Sequence, residues 1–178
     1  MACLQNLKGI GLSCNTSTGG VSKVYICDYD AVKTVELNED GSAISGITLE
    51  NTAKFYPFYF RRGAASMTST LNIDATNGVN YVSTDLVTTF SRMSTSKRVQ
   101  MLALAVGQVA CIVKDANGKS WYLGYSNPVE ATTGTGQTGA AMTDANSYSI
   151  TLNDSGAFPL PVEFDYSTLV AEVTPDNE

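Results

Sequence analysis

The sequence predicts a mainly β protein with one flanking α-helix. Three observations lead there. Thr, Ser, Gly, Asn and Val are plentiful, which suits strands and turns. Several runs alternate apolar and polar residues with the period of two of a half-buried strand. One stretch, 94–106, instead places Val99, Leu102, Ala103 and Val106 at i, i+3, i+4 and i+7, an amphipathic helix spacing.

The chain of 178 residues reads most simply as a single domain. A chain of this length buries about 70% of its unfolded surface and needs no staples. Charged residues make up only 16%, against a usual level of roughly 25%. Such low charge suits a surface covered by neighbours in an assembly; a neutral, Ser/Thr-coated monomer is the alternative. The net charge is −6 and there is no His. An acidic chain lacks the Lys/Arg stripe that grips phosphates, but can form a surface past which DNA slides. Without His, the commonest general base and metal ligand is missing.

Residues 1–22 are rich in Gly, Ser and Thr and read as an extended arm. They lack a basic region followed by a long apolar run, so no signal peptide is expected; no apolar stretch is long enough to span a bilayer. The cysteines, Cys3, Cys14, Cys27 and Cys111, form no C-x-x-C pair and so lack zinc-site spacing. Cys27 and Cys111 are expected to be buried thiols. Cys3 and Cys14 are expected to stay reduced in a cytosolic product, with pairing open to them in an oxidised particle.

The run 23–29 (KVYICDY) predicts a strand covered on both faces, Val24 and Ile26 on one and Tyr25 and Cys27 on the other. Asp28 and Asp30 read as strand-end turn chemistry, since no further ligands follow them. Strands at 33–37 and 43–49 flank a turn through Glu39, Asp40 and Gly41 and make a hairpin. The run 54–62 (KFYPFYFRR) holds Phe55, Tyr56, Phe58, Tyr59, Arg61 and Arg62, and Pro57 sends it to a sheet edge or a bulge. Its aromatic residues suit inter-subunit packing or core, with a nucleic-acid stacking platform as the competing reading.

Strands 65–74 and 79–92 are joined at Asn77-Gly78 into a long hairpin. Met67, Ser69, Leu71 and Ile73 lie on one face of its first strand; Thr68, Thr70, Asn72 and Asp74 lie on the other. The helix follows, capped by Ser94 or Thr95 and stopped at Gly107. Lys97 and Arg98 sit in its first turn, where the helix dipole disfavours cations; a partner carboxylate would offset this, and a solvated face is the alternative. Strands 108–114 and 119–125 form a further hairpin, with Trp121 as a core anchor. Residues 126–143 read as a Gly/Thr-rich loop, 146–153 as a strand, Asp154-Ser155-Gly156 as a turn and 158–164 as a Pro-marked last strand before an acidic tail at 165–178.

Gly134, Gly136 and Gly139 spell G-x-G-x-x-G, yet no helix is expected to follow, so the dinucleotide reading fails. Ser nucleophiles have no His partner. Neither an enzyme nor a cofactor is expected.

The order of elements resembles the tail tube proteins of tailed bacteriophages, particularly those of Bacteroides-type phages and prophages. Four stretches carry the likeness: MAC with GGVSKVYI (Gly19 to Ile26), TFSRM (Thr89 to Met93), IVKDANGKSWYLG (Ile112 to Gly124) and GTGQTGAAMTDANSYSITL (Gly134 to Leu152). The resemblance implies a β-sandwich or partly closed barrel flanked by one helix. It implies hexameric rings stacked into a virion tail tube, with strands of neighbouring subunits joined around an acidic lumen that passes DNA. Other tail and neck proteins would be partners, and assembly would occur in the host cytoplasm. On this likeness Thr68, Thr70, Asn72 and Asp74 are lumen candidates. Phe55, Tyr56, Phe58, Tyr59, Arg61, Arg62, Lys97 and Arg98 are inter-subunit candidates. Glu39, Asp40, Gly41, Gly134, Gly136 and Gly139 are inter-ring candidates. A head–tail connector ring or tail terminator of related fold is the alternative role, and a carbohydrate- or host-binding module the second.

Overall fold

The structure, a computed structural model, describes residues 9–12, 14–50, 52–157 and 161–164. The described residues before Val21 are exposed and lack regular structure. From there the chain forms β1 (Val21–Asp28), β2 (Val32–Leu37), β3 (Ala43–Leu49), β4 (Tyr56–Tyr59), β5 (Ala65–Asp74), β6 (Val79–Ser91), α1 (Thr95–Val106), β7 (Val109–Asp115), β8 (Ser120–Leu123), β9 (Glu130–Gln137), β10 (Ser147–Ala157) and β11 (Val162–Phe164). The expected mainly β architecture with one helix is the observed one.

The strands form two sheets, neither closed into a barrel. One has the order β2-β3-β11-β8-β7-β1-β4, the other β5-β6-β10-β9. The first core lies between them: Val24, Ile26, Cys111, Val113 and Leu123 of the larger sheet meet Leu86, Ile150 and Leu152 of the smaller. The second covers the other face of the larger sheet, where Tyr25, Cys27, Ile112 and Tyr122 pack with Phe55, Ile44 and Phe164. β1 and β7 therefore bury side chains on both faces, as their unbroken apolar runs require. Burial pushes the Cys27 thiol up to about 12, with Asp28 adding to it, and the Cys111 thiol higher still; both are inert packing groups. Cys14 is exposed, and Cys3 lies outside the described residues.

Turn chemistry follows the sequence at three hairpins. Gly41, Gly78 and Gly118 all take positive φ. Asp74 accepts from the amides of Thr76 and Asn77, and Asp115 from those of Asn117 and Lys119. Asp28 likewise caps a 3-10 turn through the amide of Asp30. Pro57 sits on β4, the edge strand beside β1.

Four expectations fail. The helix does not bury the stripe Val99, Leu102, Ala103 and Val106; Val106 is 88% exposed, while Leu104 (6%) enters the core and Met101 packs against it. Trp121 is only half-buried, its indole N–H donating to Asp115 Oδ2 (3.2 Å), and the core anchors of that hairpin are Tyr122 and Leu123. Within the supposed loop 126–143 runs β9, which holds its ladder on β10 despite having no apolar stripe. Asp154, Ser155 and Gly156 do not turn: they continue β10 opposite Thr84, Ser83 and Val82, because β6 extends far enough to pair them. Of the last strand, Val162–Phe164 is described; the acidic tail lies outside the described residues.

Candidate functional site

The smaller sheet has one face in the sandwich core; among the described residues nothing packs as a layer on the other. Its cross-strand register determines which residues share that other face. Thr68 stands opposite Asp85, which stands opposite Asn153; Thr70 lies opposite Ser83 and then Ser155; Ser66 lies opposite Val87 and then Thr151. Thr133 and Thr135 of β9 complete the rows through Thr151 and Ser149. The expected set Thr68, Thr70, Asn72 and Asp74 is thus brought together on one face, and that face extends over three further strands, through Ser, Thr and Asn residues of β6, β10 and β9.

None of the chain's eleven Lys and Arg falls on β5, β6, β9 or β10. The charges carried outward there are the carboxylates of Asp85, Glu130 and Asp74. Asp85 Oδ1 accepts from Asn153 Nδ2 (2.6 Å), which also donates to Ser83 Oγ (3.0 Å), and Thr89 and Ser149 share a hydroxyl contact of 3.2 Å. Asp74 is turned into the hairpin tip: the side-chain amide of Asn77 and the backbone amides of Asn77 and Thr76 hold its carboxyl below the usual range, so it stays ionised. The face is therefore rich in hydroxyls, carries carboxylates and no cations, and exposes Val79, Tyr81 and Val87 among them. A DNA phosphate would find weak neutral donors there and no ion pair.

Among the described residues the two edges of this sheet, β5 and β9, have no further strand beside them. Successive strands alternate in direction, so the two edges run opposite ways. A second copy can set its β5 antiparallel against β9 with the same face still outward.

The remaining candidates are dispersed. Phe55 is fully buried in the second core, so it is an internal packing residue and not a contact surface. Phe58 packs on Phe90, with ring centroids 5.9 Å apart. Tyr56 and Tyr59 are about half exposed but, three residues apart on a strand, point to opposite faces; Lys23 lies over the Tyr59 ring. No continuous aromatic platform results. Arg61 and Arg62 lie in an exposed turn. Lys97 Nζ donates to the carbonyls of Ser91 and Arg92, which ties it to its own chain; Arg98 borders a groove between α1 and β9. Glu39, Asp40 and Gly41 occupy the exposed turn between β2 and β3, and Gly139 an exposed turn after β9. Gly134 and Gly136 lie inside β9, which removes them from any loop and also excludes the dinucleotide motif, since an antiparallel edge strand contains them.

Among the described residues no group of three or more His, Cys, Asp or Glu could hold a metal ion, and no helix is long and apolar enough to cross a membrane. Comparison with protein-family models, with curated proteins and with solved structures gave no significant match.

Proposed function

We propose that this chain is a structural virion protein, the subunit of a bacteriophage tail tube. One observation carries the reading: a polar, cation-free sheet face bounded by two open, oppositely directed edges. Copies joined head to tail through β5 and β9 form a ring, and closing the ring removes every edge of this sheet. Such a ring places the hydroxyl-rich face on a common wall. Placed inward, that wall presents DNA with like charge and no salt bridge, so the duplex passes without sticking. Six subunits per ring and stacking into a tube follow the resemblance of the sequence motifs to tail tube proteins. The exposed turns at Glu39–Gly41 and Gly139 are then available to the next ring.

Electron microscopy of the concentrated protein tests the reading. Stacked rings are expected. A protein that stays monomeric at every concentration refutes it, and a single unstacked ring assigns the connector role instead.

A further inference from the structure

We infer that Leu71 and Ile73 of one copy seat in the groove between α1 and β9 of the next, an inference that rests on the tube reading and specifies its subunit contact. Leu71 and Ile73 lie on the core-facing side of β5, in line with Met67, which packs against the first core. Yet the hairpin outruns that core. Leu71, opposite the buried Val82, is still 42% exposed, and Ile73 beyond it is 67% exposed.

At the opposite edge of the sheet the complementary feature is present. A groove of about 400 Å³ opens between α1 and β9, lined by Met101, Leu102, Ala105, Ala131 and Ile150. Gly134 and Gly136 form part of its wall. At Gly134 an added Cβ would meet only the Ser149 carbonyl, at 3.9 Å, so that position is open. The groove belongs to the same side of the sheet as Leu71. Met67 stands opposite Leu86, Leu86 opposite Leu152 and Leu152 opposite Ala131, so one row joins the side chains of β5 to those of the groove. A neighbour that adds its β5 to β9 without inverting the sheet therefore brings Leu71 and Ile73 to the groove side.

The register agrees. Within one copy Ala65 and Gly134 share a row, through Thr88 and Ile150. Four strands span about 19 Å, and strands in a closed barrel tilt by about 35–45°, so each subunit advances the row by roughly four to six residues. Advanced in the sense that overlaps the two edges, Leu71 stands against Ala131 or Gly134, and β9 pairs along its whole length. In the other sense β9 is left almost unpaired. The face and the strand direction select this contact, and a stagger of this size accommodates it in the sense that pairs the two edges.

The test uses the full chain in a Cys3→Ser, Cys14→Ser background, where the remaining thiols are buried. Two pairs are introduced, Leu71→Cys with Ala131→Cys and Ile73→Cys with Ala131→Cys, and the assembled protein is oxidised. One of the pairs is expected to give a ladder of covalent oligomers that neither single-cysteine parent gives. In parallel, Leu71→Asp with Ile73→Asp is expected to abolish rings while leaving a folded monomer, read by near-ultraviolet circular dichroism. Rings that form with neither pair cross-linking, and that survive the double aspartate substitution, overturn this contact and leave the tube reading standing. A wild-type chain that forms no ring removes both.

Discussion

Leu104 and Val106 lie two residues apart on the helix, and the structure assigns them opposite energetic roles. Leu104 is 6% exposed and belongs to the first core with Val24, Ile26 and Ile150. Its truncation to Ala removes three buried carbons and leaves a cavity beneath a helix that has no other fully buried side chain. Such a change costs about 2–4 kcal/mol. At roughly 2–4 °C per kcal/mol for a domain of this size, the melting midpoint of Leu104→Ala should fall by about 4–16 °C. Val106→Ala touches a side chain that is 88% exposed and should stay within about 0.5 kcal/mol of the parent. Thermal melts of dilute monomer, followed by near-ultraviolet circular dichroism, measure both. Equal losses, or a larger loss at Val106, would show that the helix packs on the stripe Val99, Leu102 and Val106 and would refute the packing described.

Three further outcomes are expected. Burial raises the Asp154 carboxyl above its ordinary range, against the opposing bond from the Gly124 amide. Its folded pKa then exceeds its unfolded one, so the stabilising proton is present below about pH 4 and lost as pH rises through the folded value. Asp154→Asn, which keeps an oxygen for Gly124, should be more stable than the parent at pH 7, with the gain vanishing below about pH 4 in paired denaturant titrations. Tyr122 is 1% exposed and its hydroxyl has no partner among the described residues, so Tyr122→Phe should gain about 1 kcal/mol by the same titration; a loss would reveal a bond to the hydroxyl. Thr70→Lys with Thr135→Lys places cations on the hydroxyl-rich face. Tubes of this variant should retain duplex DNA at low salt and release it by about 200 mM, since several phosphate contacts cost 10³-fold or more in affinity over that range, whereas parent tubes should retain none. Equal retention by both would contradict the assignment of that face to the lumen.

Much of the fold is legible in the residues because it rests on local rules. The two-sided apolar run of β1, the turn glycines and the paired strands of the long hairpin follow from periodicity and turn chemistry. The errors share a physical cause, which is that partners decide what local patterns leave open. The helix has apolar residues on more than one side, and periodicity does not say which side the sheets will cover. β9 is built from Thr and Gly and carries no core stripe, so only the free edge of β10 makes it a strand. The turn signal of Asp154-Ser155-Gly156 is overridden by the ladder with β6. Trp121 is large and apolar, but its N–H finds Asp115 at the hairpin and holds the ring half out. The outward hydroxyls of β5 and of Ser149 and Thr151 are legible from alternation, but that they share one face is not, because strand order is set by long-range pairing.

Cryo-electron microscopy of the assembled protein tests the central claim most directly. Stacked rings are expected, with β5 of each subunit joined to β9 of the next and the face bearing Thr70, Asp85 and Thr151 turned to the lumen. A ring whose lumen is walled by the seven-stranded sheet, or whose β5 and β9 edges remain unpaired, would contradict the account.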